Sequence, residues 1–110
     1  MSNYDTGLLK LWSEGQERCG FILKDGAVIE TINVHSQPQE HFKIADSDML
    51  RYGDSIRATW HTHPKTGPNL SVPDYFMFCR FPEWDHAIIS KNAFRIYRAV
   101  GARVLICENS

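Results

Sequence analysis

Hydrophobic and polar positions divide the N-terminal part of the chain into a helix and a hairpin. Over about residues 6–14, apolar side chains recur at helical spacing and Gly15 follows as a stop, which predicts a short first helix. Two β-prone runs, residues 19–24 and 27–34, then flank Asp25-Gly26. Because this dipeptide best supplies the positive φ angles of a tight turn, the two runs are predicted to pair as a hairpin.

The middle of the chain alternates between short strands and a helix. Residues 41–44 are typical of a third short strand, and residues 46–52 predict a helix capped by Asp46 and ended by Gly53. Residues 55–61 then alternate between apolar and polar side chains. That alternation predicts a strand that leads straight into a pair of histidines.

A capped helix and three strands are predicted in the second half of the chain. After a Gly/Pro-rich loop at residues 64–70, Ser71 precedes an apolar run that is typical of a capped helix ending before Pro82. Three further strands are expected at about residues 86–90, 94–98 and 103–107. Strands with helices before and between them favour an α/β or α+β layered fold, a mixed β-sheet flanked by helices. The order of the strands stays open.

Composition narrows the class of protein. The chain has 110 residues, of which 43% are hydrophobic and 23% charged, as in one soluble globular unit, so a single domain over residues 1–110 is expected. The net charge of −1 provides no basic field for a nucleic-acid backbone, which disfavours nucleic acid as a partner. No apolar run is long enough to span a membrane and the N-terminus has no signal-like segment, so no membrane partner is expected.

The cysteines indicate a reducing compartment. Cys19, Cys79 and Cys107 are odd in number and far apart, with no CxxC pair, which argues against a disulfide framework and against a cysteine-based zinc knuckle. A cytoplasmic protein fits this pattern best. Each cysteine is expected to behave as a small buried hydrophobe.

The segment His61-Thr62-His63 carries the first candidate chemistry. In an extended chain, this spacing puts both imidazoles on one side, about 7 Å apart along the strand, where two rings can converge on one ion. Pro64 holds His63 extended, and the Gly67-Pro68 turn can bring the chain back toward the pair. Zinc accepts imidazole and carboxylate ligands and a catalytic site uses three, which makes Asp74 the obvious third ligand. A lone HxH, however, is more often a pair of polar residues at a strand end.

Ser71 and the upstream glutamates are ambiguous on spacing alone. Ser71-x-x-Asp74 is nearly a capping box, so the serine can cap a helix, serve catalysis, or do both in part. Hydrolysis by a zinc-activated water also needs a carboxylate outside the ligand set to accept the proton. Spacing does not choose among the four available residues, which are Glu14, Glu17, Glu30 and Glu40.

Together these residues form a composite motif. Glu17, then His61-Thr62-His63-Pro64, then, after six intervening residues, Ser71-x-x-Asp74 resemble the JAMM (MPN-type) metallopeptidase motif, E…H[ST]HPx6SxxD, at every defining position. The segment Glu17-Arg18-Cys19-Gly20 also looks like the E-x-C-G start of the family's first strand. The resemblance extends over about residues 7–98, and its fixed spacing makes it far more specific than a lone HxH.

The resemblance implies a fold and a set of roles. The fold would be a compact mixed sheet flanked by helices, similar to the cytidine deaminase fold, with a zinc ion (Zn2+) held by His61, His63 and Asp74. Glu17 would be the general acid/base that activates water, and the Ser71 hydroxyl would stabilise the oxyanion of the tetrahedral intermediate. The implied activity is that of a zinc-dependent metallopeptidase, a hydrolase that cleaves a peptide or isopeptide bond.

The short chain favours particular members of the family. The insertions that shape substrate grooves in ubiquitin-directed members are largely missing, and the match looks closest to small prokaryotic and phage members, including the peptidase-like domain of phage tail-assembly proteins. We therefore expect a ubiquitin-like or phage structural protein as substrate, rather than ubiquitin, in a bacterial or phage-infected host cytoplasm.

Other functions are open to different degrees. The main alternative is a non-catalytic MPN-type binding or assembly module, for example in phage tail assembly, that keeps the fold without turnover. A nucleobase deaminase is disfavoured because this sequence has neither H-x-E nor a later P-C-x-x-C. A serine or cysteine nucleophile is weaker still, since no GxSxG elbow is present and no cysteine has a motif partner.

Overall fold

The computed structural model describes residue 4 and residues 6–109, which build a six-stranded sheet with helices. The strands are β1 (Cys19–Leu23), β2 (Val28–Thr31), β3 (Ile56–Thr62), β4 (Asp85–Ile89), β5 (Phe94–Val100) and β6 (Arg103–Asn109). The α-helices are α1 (Asp46–Tyr52) and α2 (Val72–Arg80), and 3₁₀ helices span Thr6–Leu11 and Gly53–Ser55. None of the helices in this part of the chain has the length and apolar character that crossing a membrane requires.

The sheet has the order β2-β1-β3-β4-β5-β6. Strands β3 and β4 run parallel, whereas every other neighbouring pair is antiparallel. A parallel pair needs a crossover connection, and α2 lies within it. The sheet is therefore mixed, and the predicted α/β (α+β) class is confirmed at this level.

The hairpin and the second helix form where the sequence pattern predicts them. Gly26 has a φ of 91°, and its N–H donates to the Leu23 carbonyl at 2.9 Å, which closes the turn between β1 and β2. Helix α2 begins after Ser71, whose side chain caps it, and ends before Pro82. The first predicted helix is present as a short 3₁₀ helix that ends well before Gly15.

Two local predictions are wrong. Residues 41–44 do not form a strand, because within the described chain this segment has only a single bridge, between Asn33 and Ile44. The apolar side chains that suggested a strand instead pack inward, where Ile44 is 2% exposed. Asp46 does not cap α1, because Ala45 occupies the N-cap position and Asp46 is already helical.

Strand β3 is buried on both of its faces. Ala58 and Trp60 pack on one side with Leu8 of the first 3₁₀ helix. The polar residues Thr59 and His61 are fully buried as well, and buried polar groups persist only where they find partners. The strand therefore delivers the first motif histidine into the interior rather than to a surface loop.

A close crossing explains Gly20 in the first strand. The Trp60 indole lies across this glycine, and its Nε1–H donates to the Ile29 carbonyl on β2 at 3.1 Å. A Cβ at residue 20 would lie 1.9 Å from that carbonyl oxygen and 2.8 Å from the Trp60 Nε1. The glycine is thus required where three strands are joined by one side chain.

The three cysteines differ in their environments. All are free thiols, with Cys19 buried, Cys79 partly buried and Cys107 exposed. The expectation that each is a buried hydrophobe is therefore wrong for Cys107, which lies on the edge strand β6.

Candidate metal centre

The two motif histidines converge where β3 ends. His61 is fully buried and pairs with Cys19 of β1 and Ile88 of β4. His63 continues the strand, because its N–H donates to the Ile89 carbonyl at 2.8 Å. Their Nε2 atoms are 3.2 Å apart. The one-residue spacing thus places both imidazoles on one side, as the extended segment predicted.

Asp74 reaches the same point from the first turn of α2. The Ser71 Oγ accepts the Asp74 N–H at 3.2 Å, so the cap fixes where the helix starts and where the carboxylate points. The Asp74 Oδ2 lies 3.2 Å from the His61 Nε2 and 3.1 Å from the His63 Nε2. The capping role of Ser71 is therefore observed, and it aims the aspartate at the two histidines.

Hydrogen bonding sets the tautomer of His63. Its Nδ1 lies 2.9 Å from the Gly67 carbonyl oxygen, which can only accept, so Nδ1 carries the hydrogen and donates. In the neutral ring, the lone pair then resides on Nε2 and faces the Asp74 carboxylate. Orientation of a ligand through its other ring nitrogen is typical of metal-binding histidines.

The three converging atoms have the spacing of a cation site. A tetrahedral site with ligand distances of about 2.0–2.1 Å separates neighbouring ligand atoms by about 3.3 Å. The observed separations among the His61 Nε2, His63 Nε2 and Asp74 Oδ2 are 3.1–3.2 Å. Lone pairs and a carboxylate held this close repel unless a proton or a cation lies between them. The donor set and its spacing therefore fit a metal ion.

Burial and pairing shift the charges of this cluster in opposite directions. Although burial raises the pKa of Asp74, its contacts with His61, His63 and Ser71 outweigh burial and hold that pKa well below its usual value. Burial lowers the pKa of His63, but hydrogen bonds to Asp74 and the Gly67 carbonyl raise it above its ordinary value. The site thus keeps an ionised carboxylate against imidazoles, an arrangement that favours positive charge between them.

Glu17 stands beside the imidazoles as a second carboxylate. It is 7% exposed, and one of its oxygens and the ring nitrogens of His61 and His63 all lie within 4.8 Å of one another, so these three residues could also hold a metal ion. Asp74 approaches both rings more closely, at 3.1–3.2 Å. Burial raises the pKa of Glu17 to about 8, with the Asp74 charge adding to this and His63 opposing it.

The other three upstream glutamates are far less buried than Glu17. Glu30 binds the Arg18 guanidinium at 2.6 Å. Glu14 and Glu40 are exposed. Of the four glutamates that spacing left open, Glu17 is the one buried next to the histidines.

Phe42 shapes the site although spacing gave no sign of it. Its ring stacks on the His61 imidazole with centroids 4.1 Å apart and planes 18° from parallel. The Phe78 ring packs against the same imidazole with a centroid distance of 6.2 Å. The His61 Nδ1 is buried with no hydrogen-bond partner among the described residues. Two aromatic rings, rather than a hydrogen bond at Nδ1, therefore orient His61 together with its Nε2 contacts with His63 and Asp74.

The histidines outside the motif have separate roles. His86 is a satisfied core residue, because its Nδ1 accepts from the Thr59 hydroxyl at 2.7 Å and its Nε2–H donates to the Phe81 carbonyl at 2.9 Å. His35 and His41 contact each other, with ring centroids 4.9 Å apart, near the mouth of the site.

A cavity of about 310 Å³ opens beside the centre. Its lining includes Glu17, Phe42, His63, Ser71, Asp74 and Met77. Ser71 is exposed there. Because its Oγ accepts the Asp74 N–H, the hydroxyl hydrogen is still able to donate toward the cavity. The buried cluster is thus reachable by a substrate from this side.

Comparison with known proteins shows the fold alone. No protein-family model matches the chain, and no curated protein matches it significantly in sequence. The solution structure of protein DSY2949 from Desulfitobacterium hafniense is similar to this chain, with a TM-score of 0.58 and 24% identity over 84% of this chain and 76% of that one. The two chains share an arrangement of strands and helices.

Proposed function

We propose that this chain is a zinc metallopeptidase of the JAMM/MPN type with a cytidine deaminase-like fold. The observation that carries the proposal is the convergence of three atoms from the C-terminal end of β3 and from α2. These are the Nε2 atoms of His61 and His63 and the Oδ2 of Asp74, which lie within 3.2 Å of one another. The composite motif from Glu17 to Asp74 supports the same family. The mixed sheet with a parallel β3–β4 pair is compatible with it.

In this proposal His61, His63 and Asp74 bind the zinc ion. Zinc supplies a Lewis acid and lowers the pKa of a coordinated water to about 7. The Gly67 carbonyl keeps His63 in the tautomer with its lone pair toward the site. The lowered pKa of Asp74 keeps its carboxylate ionised throughout the physiological range.

Glu17 and Ser71 handle the proton and the developing charge. Glu17 accepts the proton of the attacking water and returns it to the leaving nitrogen. Burial raises the pKa of Glu17 above the ordinary carboxyl value, which makes its carboxylate a stronger base for the proton of the water. Ser71 donates its hydroxyl hydrogen to the oxyanion. Such groups are worth about 10² to 10⁴ in rate for a general base and roughly 3–4 kcal/mol for an oxyanion donor.

The substrate proposed is a peptide or isopeptide bond in a ubiquitin-like or phage structural protein, cleaved in the cytoplasm. The cavity beside the centre combines apolar side chains, such as Phe42 and Met77, with a few polar groups. Such a lining suits a short segment of polypeptide that is fixed by a small number of hydrogen bonds.

Two measurements test the proposal. Bound zinc is quantified by mass spectrometry, and turnover is measured on a fluorogenic linear-peptide library and on a synthetic peptide with a lysine isopeptide bond, with and without a chelator. We expect His63→Ala to lose zinc and turnover. Glu17→Gln should keep zinc and lose turnover by at least about 100-fold. Glu83→Gln, at an exposed glutamate in the turn before β4, serves as the matched control and should match wild type.

The outcomes separate the proposal from its alternative. Zinc binding without chelator-sensitive turnover on either substrate class would favour the binding or assembly module. Loss of zinc in Glu17→Gln would make Glu17 a ligand, contrary to its role here. A wild-type chain that binds no zinc would remove the metallopeptidase altogether.

A further inference from the structure

Glu17 lies outside the sheet ladder and is held by other means. β1 begins at Cys19, two residues later, so strand pairing does not itself fix the Glu17 backbone. Its N–H instead donates to the Pro38 carbonyl at 2.7 Å, and its carbonyl accepts the Asn33 Nδ2–H at 2.9 Å. Both backbone groups of Glu17 are therefore bound from the segment that follows β2.

Thr62 holds the next residue from the opposite side. Its hydroxyl oxygen accepts the Arg18 N–H at 2.8 Å, and its own N–H donates to the Arg18 carbonyl at 2.9 Å. The side chain thus extends the β1–β3 pairing one step past its last regular partners, Cys19 and His61. Thr62 is fully buried between the two histidines of the motif.

Asn33 is the centre of the second half of this arrangement. Besides the Glu17 carbonyl, its Nδ2 donates to the His41 carbonyl at 2.9 Å. Its Oδ1 accepts the N–H groups of His35 and Lys43 at 3.1 and 3.0 Å. One carboxamide therefore ties Glu17 to both ends of the loop that bears Pro38.

We propose that Thr62 and Asn33 are positioning residues that together clamp the backbone of Glu17 and Arg18 and so aim the Glu17 carboxylate at the metal centre. The inference rests on the proposed function of Glu17 as the proton carrier. Neither side chain needs to touch substrate or metal for this role.

The clamp matters because proton transfer depends steeply on distance. A general base must lie within hydrogen-bond reach of the water that it deprotonates, and a displacement of about 1 Å can lower the rate by about 100-fold. In a valine at residue 62, a methyl group replaces the hydroxyl at nearly constant volume. The Arg18 N–H then loses its acceptor, while the neighbouring residues His61 and His63 are both retained.

Isosteric variants test the clamp. Thr62→Val should lower kcat by about 10- to 100-fold, with KM within about threefold of wild type and zinc content unchanged. Thr62→Ser restores the acceptor and should stay within about threefold in kcat. Thr31→Val is the matched control, since this threonine on β2 also sends its hydroxyl to a β1 backbone group, the Cys19 carbonyl at 3.4 Å, and should leave turnover unchanged.

Amide hydrogen exchange supplies a readout that does not require turnover. In the full as-purified chain, the Arg18 amide should exchange at least about tenfold faster in Thr62→Val than in wild type or Thr62→Ser. Without the hydroxyl acceptor, this part of the chain opens locally more often and exposes the amide to water. The Phe21 amide, within the regular ladder of β1, should exchange at the wild-type rate.

Asn33→Asp is the second variant, and it decides the matter if Thr62→Val does not fold. The aspartate keeps acceptors for the His35 and Lys43 N–H groups but cannot donate to the Glu17 carbonyl, so kcat should fall at least about tenfold with zinc retained. Unchanged Arg18 exchange and unchanged kcat in the folded variants would overturn the clamp, as would loss of zinc in Thr62→Val. If the wild-type chain shows no turnover, the proposed function fails, and the exchange rates alone still decide whether the clamp exists.

Discussion

Gly20→Ala is the substitution whose effect the structure defines most sharply. Gly20 faces Trp60 on one neighbouring strand and Glu30 on the other. The added methyl group would lie 1.9 Å from the Ile29 carbonyl oxygen, a backbone atom inside the hairpin. No side-chain rotation relieves that contact, so β1 and β2 must separate there, and the Trp60 Nε1, which would lie 2.8 Å from the methyl group, must shift as well.

The expected magnitude follows from the two contacts that are lost or strained. Overpacking in a core costs about 1–3 kcal/mol, and the contact here is short enough for the upper end of that range. Loss of the Trp60–Ile29 hydrogen bond adds about 0.5–1.5 kcal/mol. The unfolded alanine variant has less conformational entropy than the unfolded wild type, which offsets the destabilisation by about 0.4–1 kcal/mol. The net destabilisation is about 3 kcal/mol.

Calorimetry or a circular dichroism melt checks this value. An unfolding entropy of about 2.1 cal/mol/K per residue over 110 residues converts about 3 kcal/mol into a fall in Tm of about 13 °C. Gly67→Ala is the control, because a Cβ there meets only the Asn69 side chain at 3.6 Å, an ordinary contact, and its Tm should stay within about 2 °C of wild type.

A double-mutant cycle with Trp60→Phe identifies the mechanism. Phenylalanine removes the indole N–H that reaches Ile29, so Trp60→Phe should destabilise the Gly20→Ala background by about 1 kcal/mol less than it destabilises wild type. A Gly20→Ala variant that melts at the wild-type temperature would refute the reasoning, since the close crossing of Trp60 over β1 would then not exist.

Three further predictions follow from the site and its surroundings. Burial lowers the pKa of His86 from 6.5 to about 4. The folded state therefore binds fewer protons than the unfolded state between these values, and stability is lost as pH falls through that window. Urea titrations should show wild type losing about 2 kcal/mol more than His86→Gln between pH 7 and pH 5, and equal losses would contradict the assignment. Zinc at about 100 times its Kd should stabilise wild type by about 2.7 kcal/mol, or about 12 °C in Tm, and Asp74→Asn should show less than half of that shift at the same zinc concentration. Phe42→Ala should weaken zinc binding about tenfold in chelator competition, because the stacked ring no longer orients His61, whereas an unchanged affinity would show that Phe78 suffices.

Local chemistry made several elements predictable from the sequence. Asp25-Gly26 specifies a tight turn by its own backbone preferences, and Ser71 followed by Pro73 and Asp74 specifies a helix start. The one-residue spacing of His61 and His63 puts both imidazoles on one side of any extended segment. These inferences succeeded because each depends on residues within a few positions of one another. The zinc, the catalysis and the substrate stay predictions that rest on the motif and its geometry.

Longer-range contacts decided the rest. The segment 41–44 has the composition of a strand, yet Phe42 and Ile44 find their partners across the interior, on His61 and in the core, so tertiary packing overrode local propensity. The strand order, with β3 parallel to β4, likewise depends on which apolar faces of the strands and helices pack together in the core. Glu17 likewise lies beside His61 and His63, more than 40 positions away in the chain, because β1 pairs with β3.

The sequence by itself therefore determined the candidate ligand types, their local spacing and the turns that bracket them. Spacing alone left the glutamate open and the motif named Glu17, but only the tertiary structure decided how closely each carboxylate approaches the imidazoles, which aromatic rings pack on His61, and how Asn33 and Thr62 hold the chain at Glu17. The physical reason is that backbone preferences act over a few bonds, whereas a site assembled from residues just before β1, at the end of β3 and in α2 exists only once burial of the core has brought those elements together.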